Sequence, residues 1–155
     1  MCELTFFPPI IVNKVKGTLS FLFVVGLLTN CSTTGIVQGS LCYPSEYIPA
    51  MNVYLKPVNA DKAYKLTIKE DQRTFKFKKV PAGSYVAFAY TVEETLIDFQ
   101  NKRSKASGGY TLAVPCGLTV ACKDHALIHF KVNKGKVTSN IKICDWYGAI
   151  IPSEK

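Results

Sequence analysis

Residues 115–130 read "PCGLTVACKDHALIHF" and concentrate Cys116, Cys122, Asp124, His125 and His129. Such a set suits metal ligation, acid–base catalysis or a covalent staple. A zinc ion needs thiolates and imidazoles converging on one point. His125 and His129 are four apart, a spacing that shares a helix face. The apolar alternation of Ile128, Phe130 and Val132 instead predicts a strand. On a strand, positions four apart share a face but lie about 13 Å from each other, too far for one ion. No metal site is therefore expected. Catalysis would pair Asp124 and His125 with a serine such as Ser45, Ser107 or Ser139. None of these serines sits in a nucleophile-elbow context. Asp124 and His125 are expected to pair with each other or to cap a turn, in a chain without enzymatic activity or cofactor; the alternative is a hydrolase built on that pair.

Whether the cysteines staple or react depends on compartment. Lys14 and Lys16 precede "TLSFLFVVGLL", residues 18–28. That run is short for a membrane span and suits the apolar region of an export signal. It is followed by "LTNC", ending at Cys31. Leucine three residues before cysteine, directly after such a run, resembles the bacterial lipobox, although Asn30 stands where that family has a small residue. The resemblance implies cleavage before Cys31 and acylation of its thiol. Ser32, in place of an inner-membrane-retaining aspartate, implies an outer-membrane lipoprotein, facing the periplasm or the surface. The expected layout is a signal peptide over 1–30, a tether over 31–35, a folded domain over 36–148 and a tail over 149–155.

An exported chain meets an oxidising compartment, where thiols become disulfides. Cys42, Cys116, Cys122 and Cys144 then remain, and four cysteines allow three pairings. The favoured one is Cys116–Cys122, a local clasp, with Cys42–Cys144 tying the first strand to the last.

Charge narrows the partners. The net charge is +8, and charged residues make up 19% of the chain against 48% hydrophobic. This composition is globular, and its basic surface favours anionic partners. The basic residues are mostly dispersed lysines, with arginine only at 73 and 103. A nucleic-acid reader would carry arginine forks or a signature motif, so no nucleic-acid partner is expected. The expected partners are the lipid membrane, through acylated Cys31, and an envelope glycan or protein.

From Gly35 onward the apolar pattern has a period of two, which predicts strands. "GIVQGSLCY" places Val37, Gly39 and Leu41 on one face. "MNVYLKPV" puts Val53 and Leu55 inward and Tyr54 outward. "AYKLTI" sets Tyr64, Leu66 and Ile68 against Lys65 and Thr67. "TFKFKKV" sets Phe75 and Phe77 against Lys76 and Lys78. "GSYVAFAYTV" is apolar on both faces and reads as a central strand. "ALIHFKV" places Ile128, Phe130 and Val132 inward. A hairpin turn at "NKGK" leads into "VTSNIKI", with Val137, Ile141 and Ile143 inward. Seven strands with short turns predict an all-β sandwich. The exception is residues 93–109, where Leu96, Ile97 and Phe99 suggest a helical turn or two before a polar, glycine-rich excursion or disordered loop.

The pieces "VQGSLCYPSEYIPAMNVYL" and "TFKFKKVPAGSYVAFAY" together resemble the carboxypeptidase-regulatory-like domain, a seven-stranded sandwich of transthyretin-like, immunoglobulin-like type. The resemblance covers roughly residues 35–92. It implies that Gly83 supplies a tight turn and that Tyr85 packs inward. It implies no single activity, the family being mostly accessory or adhesive.

If Cys42 and Cys144 are bonded, "YPSEY" and "CDWYG" lie side by side. Tyr43, Glu46, Tyr47, Asp145, Trp146 and Tyr147 would then form an aromatic-acidic patch at one end of the sandwich. Aromatic rings offer an apolar face and a polar tip to a sugar or peptide. The opposing expectation is that Trp146 plugs the open end of the core. The sequence thus predicts an exported, membrane-anchored accessory or scaffold domain, with a carbohydrate- or peptide-binding module as the alternative.

Overall fold

The structure is a computed structural model that describes residues 33–146 and 148–154. The signal segment 1–30, the lipidation residue Cys31 and the patch residue Tyr147 lie outside the described residues. A compact unit spans Ser32–Lys155. It is all-β apart from one four-residue helix.

Two sheets make the body. The first has the order β10-β1-β4, with β1 at Thr34–Leu41, β4 at Thr74–Pro81 and β10 at Val137–Ile143. β1 runs antiparallel to β4 and parallel to β10, so the first and last strands are neighbours. The second sheet has the order β3-β2-β5, formed by Tyr64–Ile68, Met51–Pro57 and Gly83–Thr91. Along its far side, β8 (Ser107–Gly109) and β9 (Phe130–Val132) lie end to end. β8 pairs with Phe88–Tyr90 and β9 with Gly83–Tyr85. Both sheets feed one apolar core. It takes Val37, Phe75, Phe77, Val80, Ile141 and Ile143 from the first sheet, and Val53, Leu55, Ile68, Ala87, Ala89 and Val132 from the second.

The period-two pattern breaks twice, and each break is absorbed by a bulge. In "FKFKKV" the inward residues are Phe75, Phe77 and Val80, so the last step is three residues. The register against β1 slips at that point, from Val37↔Phe77 to Gly35↔Val80. Lys79 takes a left-handed backbone there, with φ 58°. One extra residue in β4 thus keeps Val80 in the core while its flanking lysines stay outside. β10 does the same. Its register steps from Thr138 to Ile141 against Val37 and Gly39, with Asn140 at φ 64°. This bulge corrects one expectation: Val137 is exposed, and Ile141 and Ile143 carry the inward face.

Other expectations are corrected too. Tyr54 lies opposite Val53 and Leu55 but is buried, because the outer face of the second sheet is covered. There Tyr54 stacks on Phe88 at 5.2 Å, and Tyr90 meets both rings edge-on. Leu127 and Ile151 pack over them. The segment expected as a tail bonds across this face: Tyr54 donates to the Glu154 carboxylate (2.9 Å), Tyr90 to the Pro152 carbonyl (3.0 Å), and Lys105 pairs with Glu154 (2.8 Å). "NKGK" does turn, with Gly135 at φ 66°, but it makes no hairpin, since β9 pairs with β5 and β10 with β1. "ALIHFKV" is regular only in its last three residues. β1 already includes Thr34 and Gly35, which the sequence assigns to the tether.

The stretch 93–109 forms neither a helix nor a plain excursion. β6 (Leu96–Ile97) and β7 (Arg103–Ser104) make a small ribbon that exposes Leu96, Ile97 and Phe99. The chain then returns as β8. Gly83 has no left-handed backbone, so the tight turn owes nothing to a positive φ there. Tyr85 closes that turn instead: its ring is buried and its hydroxyl donates to the Pro81 carbonyl at 2.9 Å.

Candidate functional site

Two cystines use all four cysteines of the described residues. Cys42–Cys144 joins the residue after β1 to the residue after β10, and Cys116–Cys122 closes a short loop behind the helix α1 (Ala113–Cys116). The first cystine fixes the end of the domain where the candidate residues meet. The Cys42 amide adds a bond to the Ile143 carbonyl at 3.1 Å.

Beyond that cystine, Asp145 folds back onto β8. Its backbone exchanges two hydrogen bonds with Gly109, at 2.9 and 3.3 Å. Its side chain is fully buried. One carboxylate oxygen accepts the Thr111 hydroxyl at 2.7 Å and meets His125 Nδ1 at 2.6 Å; the other takes the Gly148 amide at 3.4 Å. A buried carboxylate is tolerable only with such partners. Gly148 leaves room for the imidazole, as a Cβ there would lie 2.6 Å from His125 Nδ1. The Asp145 carboxylate holds the Nδ1 proton in place, which orients the ring and leaves Nε2 as its other polar atom. His125 remains about one third exposed.

Of the two expectations for Asp124 and His125, the pair does not form, and Asp124 caps a turn. The Asp124 carboxylate accepts the Ala126 amide at 2.9 Å, a local turn bond, and His125 goes to Asp145. Asp145 is thus the anchor of this node and not a surface acid of a binding patch. His129 faces elsewhere, lining a shallow groove with Val58 and Pro152. Among the described residues no group of three or more His, Cys, Asp or Glu side chains could hold a metal. None of the candidate serines bonds to His125 among the described residues: the Ser45 hydroxyl bonds the Tyr47 carbonyl (2.6 Å), Ser107 is in β8, and Ser139 is exposed on β10. Among the described residues no hydroxyl or thiol bonds to His125.

Among the described residues of the aromatic patch, Tyr43 and Trp146 are the two whose rings meet. Their rings meet edge-on at 5.0 Å. The Trp146 indole donates to the Cys42 carbonyl. The ring lies flat against β8, where a Cβ on Gly108 would come within 2.5 Å of it. Tyr43 and Trp146 are half-buried against the core, so Trp146 acts more as a lid than as an open platform. Glu46 and Tyr47 belong to a separate group. The Glu46 carbonyl accepts from Arg73 at 3.0 Å, and the Tyr47 hydroxyl is pushed up by desolvation and by its bond to Glu70. Thr111 went unnoticed in the sequence, because nothing local marks it as a buried partner for a carboxylate 34 residues later.

Comparison with known family models, with curated proteins and with solved structures returned no match for this chain. Two cystines fit an oxidising, non-cytoplasmic compartment. Among the described residues, no helix is long and apolar enough to cross a membrane.

Proposed function

We propose that this chain is an exported bacterial lipoprotein: a seven-stranded, transthyretin-like β-sandwich tethered to the outer membrane through acylated Cys31. It serves the envelope as a non-enzymatic accessory or scaffold domain. The observation that carries the reading is the pair of cystines, which consumes every cysteine of the folded unit. Thiols spent in this way staple the fold and neither ligate nor attack. Six of the seven expected strand segments form β1, β2, β3, β4, β5 and β10, and the seventh keeps the three residues of β9, which supports the sandwich. A hydrolytic role for Asp124 and His125 lacks geometric support, since each is bonded to a different partner.

Intact mass with and without reduction, on protein from an export-competent host, tests this. The expected species begins at Cys31, carries acyl mass and gains two hydrogens per cystine on reduction. A chain that keeps its leader and shows free thiols overturns the proposal. The Tyr43–Trp146 contact favours a second reading, in which this end binds sugar or peptide. Glycan-array binding that disappears in Trp146→Ala, with near-ultraviolet circular dichroism unchanged elsewhere, would establish it.

A further inference from the structure

The three-stranded sheet gathers exposed lysines along β4 and β10. β1, β4 and β10 contain no aspartate or glutamate, yet they carry Lys76, Lys78, Lys79 and Lys142, and Lys136 directly precedes β10. All five lysines are exposed. Among the described residues no carboxylate lies within ion-pair distance of any of them. Elsewhere Lys65 sits over the Tyr54 ring at 5.9 Å and Lys105, just before β8, is paired with Glu154, while Lys56 and Lys131 of the second sheet have no carboxylate at ion-pair distance among the described residues.

The lysines of the three-stranded sheet also flank concave surface. A groove of about 490 Å³ runs across this face, with Lys76 and Lys142 on its sides and Gln38, Ser40, Thr74 and Ser139 along it. The register explains the shape. Thr74, Ser40 and Lys142 lie in one row across the three strands, and Gln38 pairs with Lys76 in the next row. Rows on one face are about 7 Å apart and neighbouring strands about 4.8 Å. The two lysines thus stand diagonally across a floor of amides and hydroxyls. The bulges in β4 and β10 bend the outer strands. A second hollow, of about 280 Å³, flanks the other end of β1, bordered by Lys78, Lys79 and Lys136.

We infer that this face binds a linear acidic polysaccharide, its carboxylates on the lysines and its hydroxyls on the Gln38, Ser40 and Thr74 floor. Charge complementarity selects an anionic partner. A lining that alternates amides and hydroxyls with cations suits a polymer that presents both hydroxyls and acids. Two lysine-flanked hollows on one strand suit a ligand that repeats. The site is separate from the Tyr43–Trp146 end. It depends neither on that end nor on the lipid anchor.

The test uses the full protein as purified from an export-competent host, titrated calorimetrically with polygalacturonate. Dextran serves as the neutral polysaccharide and phosphatidylglycerol vesicles as the anionic lipid. Polygalacturonate is expected to bind and dextran not to. Lys76→Gln with Lys142→Gln should weaken binding roughly tenfold or more, on the scale of losing charge-assisted hydrogen bonds. Lys62→Gln with Lys123→Gln, also exposed but off this sheet, should leave it within about twofold. Gln38→Ala, which leaves every charge in place, should also weaken polygalacturonate binding. Equal losses from both lysine pairs would reduce the site to general charge attraction and overturn the proposal. So would binding to the vesicles without polygalacturonate, or no binding at all. Since the same preparation gives the intact mass, failure of the anchor and failure of the polysaccharide site are read separately.

Discussion

The two sheets turn opposite kinds of surface outward. The five-stranded one stacks Tyr54, Phe88 and Tyr90 on its outer side and draws residues 151–154 across them. The three-stranded one leaves its outer side uncovered, polar and lined by lysines. One sheet is buried on both faces and the other on one face only. Burial on both faces demands apolar residues at every position, as in β5, where seven of the nine residues are buried or half-buried. Burial on one face permits the alternation seen in β4. A covered face contributes stability, whereas an uncovered one is free to contact something else.

This contrast can be broken by experiment. The three-stranded sheet has no outer cover, so its β1–β10 seam depends on Cys42–Cys144. Replacing both cysteines by serine should lower unfolding stability by about 4–5 kcal/mol, against about 2 kcal/mol for Cys116 and Cys122, because the enclosed loop is far longer. The sequence separations are 102 and 6. Urea melts of the two double variants give the comparison. Phe88→Ala should cost about 3–5 kcal/mol, as expected for a buried aromatic. A comparable loss at the exposed Lys76→Ala would remove the distinction between the two faces; the expected change there is within about 0.5 kcal/mol.

The cover can be probed by pH. Burial, aided by the bond to Glu154, pushes the Tyr54 hydroxyl up to about 12 from its ordinary 10.0. A raised folded pKa means the contribution is complete below pH 10 and declines as pH rises toward 12. Tyr54→Phe should therefore flatten the alkaline limb of the stability curve. For Glu154, burial alone would raise the carboxyl, but the Lys105 and Tyr54 hydrogen bonds outweigh it and hold it below its usual 4.5. Its contribution is present above that value and is lost as pH falls through the depressed one. Glu154→Gln should remove that acid limb. Exposed polar partners keep this effect smaller than that of Phe88.

Much of the architecture was legible because strand alternation is a local signal. Phe75, Phe77, Val53, Leu55 and Ile143 face the core as their spacing requires. Tyr54 faces outward as its spacing requires, but the segment that covers it there lies about a hundred positions away. Val137 was misread because the β10 bulge resets the parity of the strand, and neither Ser139 nor Asn140 announces it. At the candidate site the residue types were visible but their partners were not. Asp124 stood adjacent to His125 and was the natural choice. The fold instead delivers Asp145, through the backbone exchange with Gly109. The lysine face escaped notice because its members come from β4 and from β10 and the turn before it, which meet only across β1.

That seam dictates an order of events. β1 opens the domain and β10 closes it, yet they lie side by side. During synthesis or translocation, the first strand waits for nearly the whole remaining chain before its second neighbour exists. Contacts so distant in sequence are formed slowly, and an unpaired strand edge is prone to join another molecule in the meantime. The chain therefore reaches its native state late, after the last strand has been delivered, and a helper that shields β1 during that interval would raise the yield without altering the final product.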